Sequence, residues 1–339
     1  MRELINELFA RYLANPLLNT RTDAAALSEI EGELMMTTDG FTVQPLEFPG
    51  GDIGALAIHG TVNDLAVAGA DPLYLSLNAF IEEGLEIAQL ERIIQSLATA
   101  AEHAGVKIVT GDTKVVRRGE GGGVYLATTG VGVKHPQQDL SMEHIQTGDC
   151  VLVSGPVGDH GTAVMLAREQ FGMRGDLQSD AATVLPLTRA LRDIAGLRFM
   201  RDPTRGGLAS VMQEIHQATG LGLRLKQKDI PVRDPVTAVC EMLGYDPLYL
   251  ACEGRVVAVV AEADAEKALA LWQQLPEGSN AAIIGQITDA QQRVILETEL
   301  GGERILEELE DDPCLLYTSP SPRDQREHRV CRLLLENGG

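Results

Sequence analysis

Apolar residues fall at helical spacing at the start of the chain: Leu4, Ile5, Leu8, Phe9 and Leu13 share one face of a helix predicted over Arg2–Leu13. A second such period runs from Ile87 to Ala104, with Leu90, Ile93, Ile94 and Leu97 on one face and Gly105 as its stop. Between the two helices the pattern changes. Met35–Phe41 is an apolar run predicted as a strand that ends in an Asp39-Gly40 turn. The stretch from Phe48 to Gly84, FPGGDIGALAIHGTVNDLAVAGADPLYLSLNAFIEEG, opens on a Pro-Gly-Gly-Asp turn, continues as a small-residue helix and closes with a strand-like run to Glu82-Glu83. Val106–Val109 is predicted as a strand running into Thr110-Gly111-Asp112-Thr113-Lys114. Val124–Val133 is predicted to complete a hairpin with it, across a glycine-rich tip at Gly119–Gly123.

A turn at Thr147-Gly148-Asp149 divides the chain. Beyond it, Cys150–Gly155 reads as a strand, Gly155-Pro156-Val157-Gly158-Asp159-His160-Gly161 as a connection, and an apolar helix follows from Thr162. Met200–Gly207 (MRDPTRGG) is a similar junction ahead of a helix through Leu208, Val211, Ile215 and Ala218. A helix ends at Cys240–Gly244, and Tyr249–Gly254 leads into a strand over Arg255–Val260. Ala263–Leu275 is predicted as a helix, with strands at Ala281–Ile287 and Arg293–Glu297 finishing a sheet.

Several polar residues stand where this pattern gives them no structural task. Asn63 and Asp64 interrupt an otherwise apolar helix, and burying them unpartnered would cost a few kcal/mol. A hard cation sharing oxygen ligands with phosphate would satisfy both; a helix cap or a buried hydrogen-bonded pair is the alternative. Asp39 at a strand end suits the same metal, or simply a turn. Gly111-Asp112-Thr113-Lys114 combines a tight backbone, a carboxylate for metal, a hydroxyl and a cation for phosphate, or else is a hairpin turn with a surface lysine. The glycine-rich loop 155–161 and the RDPTRGG junction, with Asp202 and Arg205, read as anion-recognition elements at helix starts. For the second, a capped helix with a surface Arg–Asp pair is the alternative. Neither matches G-x-x-x-x-G-K-[ST] or G-x-G-x-x-G. Glu253, beside a glycine and between apolar segments, is a candidate acid–base.

At 339 residues the chain exceeds one ordinary core, so two domains are expected. A formal charge of −21 argues against nucleic acid or an anionic membrane as partner, while leaving room for a locally held nucleotide. Cys150, Cys240, Cys252, Cys314 and Cys331 are odd in number, widely spaced and without a C-x-x-C pair. That usage fits a reducing cytoplasm and neither a disulfide framework nor a zinc site. No apolar run reaches membrane-spanning length.

Taken together, FPGGDIG, GTVNDLAVAGADPLYLS, FIEEG, VTGDTKVV, VSGPVGDHG, RDPTRGGLA, CEMLGYDPLYLA and GGERIL resemble the HypE family of carbamoyl dehydratases, within the PurM-like ATP-binding superfamily. The resemblance runs from the first residues to Leu309. It implies an α+β, PurM-like two-domain fold: an N-terminal sheet domain (1–147) that forms a barrel in a homodimer, and a C-terminal α/β sandwich domain (148–310). It implies ATP and Mg2+ as cofactors, a HypF-type carbamoyltransferase as donor, and a HypC–HypD complex as acceptor of the cyanide. The implied reaction is dehydration of a cysteine S-carboxamide to a thiocyanate. By the resemblance Asp39, Asp64 and Asp112 are metal ligands, and Asn63, Gly111, Thr113, Asp159, His160, Asp202 and Arg205 join them around the nucleotide. Lys114 and Glu253 are then catalytic, for phosphoryl oxygens and for an amide proton.

Both ends differ from the family pattern. Members usually carry a His-Gly-Ser-Gly-Gly segment ahead of the first helix, where this chain begins. Residues 311–339 are Ser-Pro-rich and resemble a cloning scar. The family ends in Pro-Arg-[Ile/Val]-Cys, whose cysteine carries the carbamoyl group. Arg329-Val330-Cys331 is similar, with His328 for the proline and eight residues after the thiol, so Cys331 is the expected carrier, Cys314 the alternative, and loss of the family's terminal cysteine the third possibility.

Overall fold

The first period forms a helical stretch, π-helical over Ile5–Phe9 and α-helical over Ala10–Tyr12, in a computed structural model that describes residues 4–308 apart from 20, 21, 23, 28 and 170–175. Strand β1 (Leu34–Phe41) follows, then the two-residue strands β2 (Glu47–Phe48) and β3 (Gly51–Asp52). Asp39-Gly40 makes no turn: both residues lie inside β1, paired with Thr128 and Ala127 of a later strand.

Helix α1 (Ile53–Val67) starts at Asp52, whose carboxylate accepts the Gly54 and Ala55 N–H groups at 2.7 and 3.0 Å. Twelve of its fifteen residues are buried, so it is a core helix rather than an amphipathic one. Asn63 and Asp64 therefore lie in its last third and cap nothing. Strand β4 (Ala70–Glu82), helix α2 (Ile87–Ala104), strand β5 (Lys107–Val116) and strand β6 (Val124–Lys134) complete this half. As the spacing predicts, α2 buries Leu90, Ile93, Ile94 and Leu97, and Gly105 ends it in the left-handed conformation.

The sheet order is β1-β6-β4-β5, which corrects the predicted β5–β6 hairpin. Helix α2 returns the chain to the start of the sheet, so β5 enters parallel to β4, while β6 crosses to the other side of β4 and runs antiparallel to it. The glycine-rich tip makes the crossing possible, and the Glu82 carboxylate at the end of β4 holds it by accepting the Gly119 and Gly123 N–H groups.

The C-terminal half is a seven-stranded sheet, β13-β12-β9-β11-β7-β10-β8, built from β7 (Cys150–Val153), β8 (Leu197–Arg201), β9 (Gly222–Lys226), β10 (Val257–Val260), β11 (Ala282–Thr288), β12 (Val294–Glu297) and β13 (Glu303–Ile305). Only β9 and β12 pair in parallel. The helices are α3 (Asp159–Glu169), α4 (Leu185–Ala190), α5 (Gly207–Thr219), α6 (Asp234–Leu243) and α7 (Glu262–Gln273). One sheet face packs on α5 through Leu208, Met212 and Ile215. The other packs on α4 and α7, where fully buried Trp272 donates its indole N–H to Leu187 O at 2.9 Å. That second layer is continuous with the α1–α2 core, so the halves share one apolar cluster.

Candidate active site

The shared core leaves a cleft where α1 and β1 meet the C-terminal half. On one wall Thr37 donates its hydroxyl to Asp64 Oδ2 at 2.8 Å. Gly60 opens the space beside it: a Cβ there would lie 2.8 Å from the Phe41 ring and 3.7 Å from Asp39 Oδ2. On the facing wall, the connection from β8 to α5 supplies Asp202, Thr204 and Arg205, α3 supplies His160 and Arg168, and the approach to β10 supplies Glu253. All of these line one cavity of about 220 Å³. Gly207 lets α5 start against this wall, because a side chain there would collide with Leu248 and Leu250 carbonyls at 2.7 and 2.5 Å.

Four acids share one partly dry pocket, where burial raises the pKa of each and neighbouring charge adds to it for three of them. Burial lifts Asp39, offset by its Gly40 N–H bond and by Arg205. Burial also lifts Asp64, against the Thr37 hydrogen bond. Asp202 is pushed up to about 7, first by burial and then by the charge of Asp64. Glu253 stands well above the usual carboxylate range, through burial and then Asp202, Asp180, Asp39 and Asp64. Burial lowers His160 to about 4, so its imidazole is neutral; its Nδ1 lies 2.9 Å from the Ser179 hydroxyl.

Residues 21–134 match the family model for the AIR synthase related protein N-terminal domain, and residues 146–297 match that for the C-terminal domain. Carbamoyl dehydratase HypE of Azotobacter vinelandii is 46% identical over 309 residues, 91% of each chain. This chain belongs to the HypE carbamoyl dehydratase family. A crystal structure of HypE in complex with ATP superposes with a TM-score of 0.88 at 42% identity, covering 93% of this chain and 96% of that one. A HypE–HypF complex gives 0.79 at 43% identity, covering 90% and 99%. The PurM-like two-domain α+β fold is thereby established.

Against that family, the structure separates the sequence-derived site residues into three groups. Asp39, Asp64, His160, Asp202, Arg205 and Glu253 converge on the cavity. Gly111, Asp112, Thr113 and Lys114 do not reach it. Asp39 pairs with Thr128, Thr128 with Leu77, and Leu77 with Gly111. Three strand spacings, roughly 14 Å, thus separate Asp39 from the Asp112 segment. There Lys114 Nζ pairs with Asp112 Oδ2 at 2.8 Å on an exposed edge strand, and Lys114 holds the Asp112 pKa below its usual value. Gly111, Asp112 and Thr113 line a second cavity, of about 410 Å³, against the N-terminal helix.

The third group is turned inward. Helix α3 begins at Asp159 rather than Thr162, and the Asp159 carboxylate faces the Arg233 and Arg255 guanidiniums at 3.0 and 3.5 Å. The positive end of α3 is therefore met by its own acid, and the loop 155–161 is not an open anion site; the Gly158 N–H instead donates to Cys252 Sγ. Arg201 pairs with Glu214 and not with Asp202. Asn63 is buried, with its amide engaged by backbone groups of the other half. Cys331 and Cys314 lie outside the described residues.

Sequence reasoning passed over Thr37, Asp180 and Arg255. Asp180 accepts the Glu253 N–H at 3.1 Å and faces Arg255 Nε at 3.3 Å. Nothing around Gln178-Ser179-Asp180 marks it locally, since its partners stand more than seventy residues away.

Proposed function

We propose that this chain catalyses the ATP-dependent dehydration of a cysteine S-carboxamide to a thiocyanate, for the cyanide ligands of a nickel–iron hydrogenase. The observation that carries the reading is the meeting of N-terminal carboxylates, Asp39 and Asp64, with C-terminal Asp202, Arg205 and Glu253 in one cavity of a HypE-family chain. At 46% identity over nearly its whole length, this reading is favoured over another PurM-like kinase or synthetase activity.

A carboxamide oxygen is a poor leaving group until it is phosphorylated. In the proposed sequence the γ-phosphoryl group breaks its bond to ADP and bonds the carboxamide oxygen as one N–H proton departs and C=N forms. The C–O bond then breaks with its electrons leaving on phosphate, the second N–H proton departs, and C≡N results. Glu253 is the proton acceptor: once ionised, a carboxylate of raised pKa is a stronger base than an exposed one. Arg205 and Lys114 face phosphoryl oxygens.

The donor set suits Mg2+, an oxygen-binding cation that keeps water and shares phosphate oxygens. Among the described residues no group of three or more His, Cys, Asp or Glu encloses a metal unaided, so Asp39 and Asp64 would hold the ion together with phosphate. Bound there, Mg2+ supplies charge neutralisation for the transferring group.

We infer that a second copy of the chain completes the site, because Asp112 and Lys114 are three strands from Asp39. Leu34 and Met36 on β1 and Phe80 on β4 are exposed apolar residues of the sheet that such a homodimer barrel would cover. A HypF-type protein would load the carrier cysteine and a HypC–HypD pair would accept the cyanide, in the cytoplasm. Among the described residues no helix is long and apolar enough to cross a membrane.

Intact-mass analysis after incubation with a HypF-type carbamoyltransferase, carbamoyl phosphate and MgATP tests the reading. A carbamoyl adduct on a tail cysteine, followed by loss of one water on ATP addition, is the expected result. ATP hydrolysis with no adduct and no dehydration would overturn it.

A further inference from the structure

We propose that Asn63 is a positioning residue for Glu253: from α1 of the N-terminal half it fixes the backbone that presents this carboxyl to the cleft. The inference rests on the reading of Glu253 as proton acceptor. Asn63 is 1% exposed. Its Nδ2 donates to Ala182 O at 3.0 Å and to Glu253 O at 3.2 Å, and its Oδ1 accepts the Val184 N–H at 2.9 Å. Both amide protons are committed, so the side chain has no donor left for a phosphate.

These three bonds reach 119, 190 and 121 residues along the chain, and all end on the backbone of the C-terminal half. They tie two of its segments together. The strap at residues 180–184 runs between Asn63 and Glu253, and the Ala182 N–H also points at Glu253 O, at 3.4 Å. On the other side of the same residue, the Glu253 N–H is taken by Asp180 Oδ1 at 3.1 Å. Gly254 keeps the strap in contact, since a Cβ there would stand 1.9 Å from Asp180 O. Both backbone polar groups of Glu253 are thus held by residues outside its own segment.

The next residue on α1 is Asp64, bonded to Thr37 and lining the cleft. Consecutive helix residues point about 100° apart. One turn of α1 therefore aims Asp64 at the phosphate side of the reaction and Asn63 at the strap behind Glu253. The separation of the two groups is set by a single rigid helix rather than by how the two halves happen to close.

The test uses Asn63→Ala and Asp180→Ala, which release Glu253 from opposite sides, so that one remains informative if the other fails to fold. Val62→Ala, a fully buried neighbour facing the core, serves as a control for lost stability. Turnover is followed with a synthetic peptide ending in S-carbamoylcysteine plus MgATP, by ADP release and loss of water from the peptide. Each positioning variant is expected to lower kcat about 10- to 100-fold, as displacement of a reacting group by about 1 Å does. The KM for ATP and the equilibrium affinity for ATP should stay within about twofold, and Val62→Ala, at a similar loss of Tm, should keep kcat within about twofold. Unchanged kcat in the variants, or ATP affinity falling in step with kcat, or an equal loss in Val62→Ala, overturns the proposal. Glu253→Gln is run beside them. If it retains full turnover, the acid–base reading and the inference fall together; if it is inactive while Asn63→Ala is active, the inference alone falls.

Discussion

Replacing Asp202 with asparagine should make the ligand-free protein more stable at pH 8 and less active. Asp202 is 7% exposed and shares its cavity with Asp39, Asp64 and Glu253. Burial, then the Asp64 charge, lifts its pKa from 3.8 to about 7. Between those values the folded chain binds a proton that the unfolded chain does not, so the folded state gains stability below about pH 4 and loses it as pH rises through about 7. At about 1.4 kcal/mol per pH unit, that interval corresponds to roughly 4 kcal/mol. An asparagine carries no such penalty. With chelator present to remove divalent cations, urea unfolding at pH 5, 6, 7 and 8 should show Asp202→Asn more stable by roughly 2–4 kcal/mol at pH 8, with the advantage shrinking steadily toward pH 5. The same variant should lose most of its dehydratase turnover, a trade of function against stability. A difference that stays flat with pH, or a variant less stable at pH 8, would refute the electrostatic account of the cavity.

Arg255→Met should cost about 3–5 kcal/mol at pH 7.5, because Asp159 and Asp180 would stay buried without their shared guanidinium. The loss should shrink below about pH 6, where Asp159, pushed up to about 6 mainly by burial, takes a proton; equal losses at pH 5.5 and 7.5 in thermal melts would count against it. Gly254→Ala should destabilise by about 1–3 kcal/mol and lower kcat, since its methyl group meets the Asp180 carbonyl head-on; a variant of wild-type Tm and activity would contradict the packing of the strap. Equal mixing of Lys114→Ala and Glu253→Gln subunits should restore about a quarter of wild-type activity if each site draws Lys114 from the second subunit, because half the dimers are mixed and each holds one intact site. No recovery on mixing would place both residues in one subunit.

The helices were legible from periodicity where one face is apolar and the other wet. In α2, Leu90, Ile93, Ile94 and Leu97 repeat at helical spacing and Gly105 ends the helix, so pattern and stop signal agree. Helix α1 gave no such period because it is buried on every side, and its cap, Asp52, was read as part of a turn. Strand partners were harder. Local spacing makes β5 and β6 look like a hairpin, yet the thirteen-residue β4 takes the central place and separates them. In the site, acids beside a glycine, within an apolar helix or at a helix start were visible as chemistry: Asp39, Asp64, Asp202 and Glu253 all face one cavity. What a buried polar side chain bonds to was not visible. Asn63 looked like a ligand because it sits beside Asp64, whereas its partners are backbone groups brought in by the tertiary fold. Asp180 left no local signal for the same reason.

The cavity's two walls belong to different halves of the chain, and both carry negative charge. When ionised, Asp39 and Asp64 repel Asp202 and Glu253 across the boundary, and the raised pKa values of Asp202 and Glu253 carry that repulsion on top of burial. Something must oppose it for the halves to stay in register. The shared apolar cluster does so without direction, and the Asn63 bonds, the Ser179 N–H to Pro49 O bond at 2.8 Å, and the Arg189 and Arg192 pairs with Asp71 do so at fixed positions. On the proposed reading, a cation arriving with a nucleotide would neutralise this charge, so its binding energy would act across the same boundary that sets the distance from Asp64 to Glu253. Ligand binding and the placement of the proposed proton acceptor would thereby be coupled through α1: a chain that loosens Asn63 should still take up MgATP but should convert that binding poorly into dehydration.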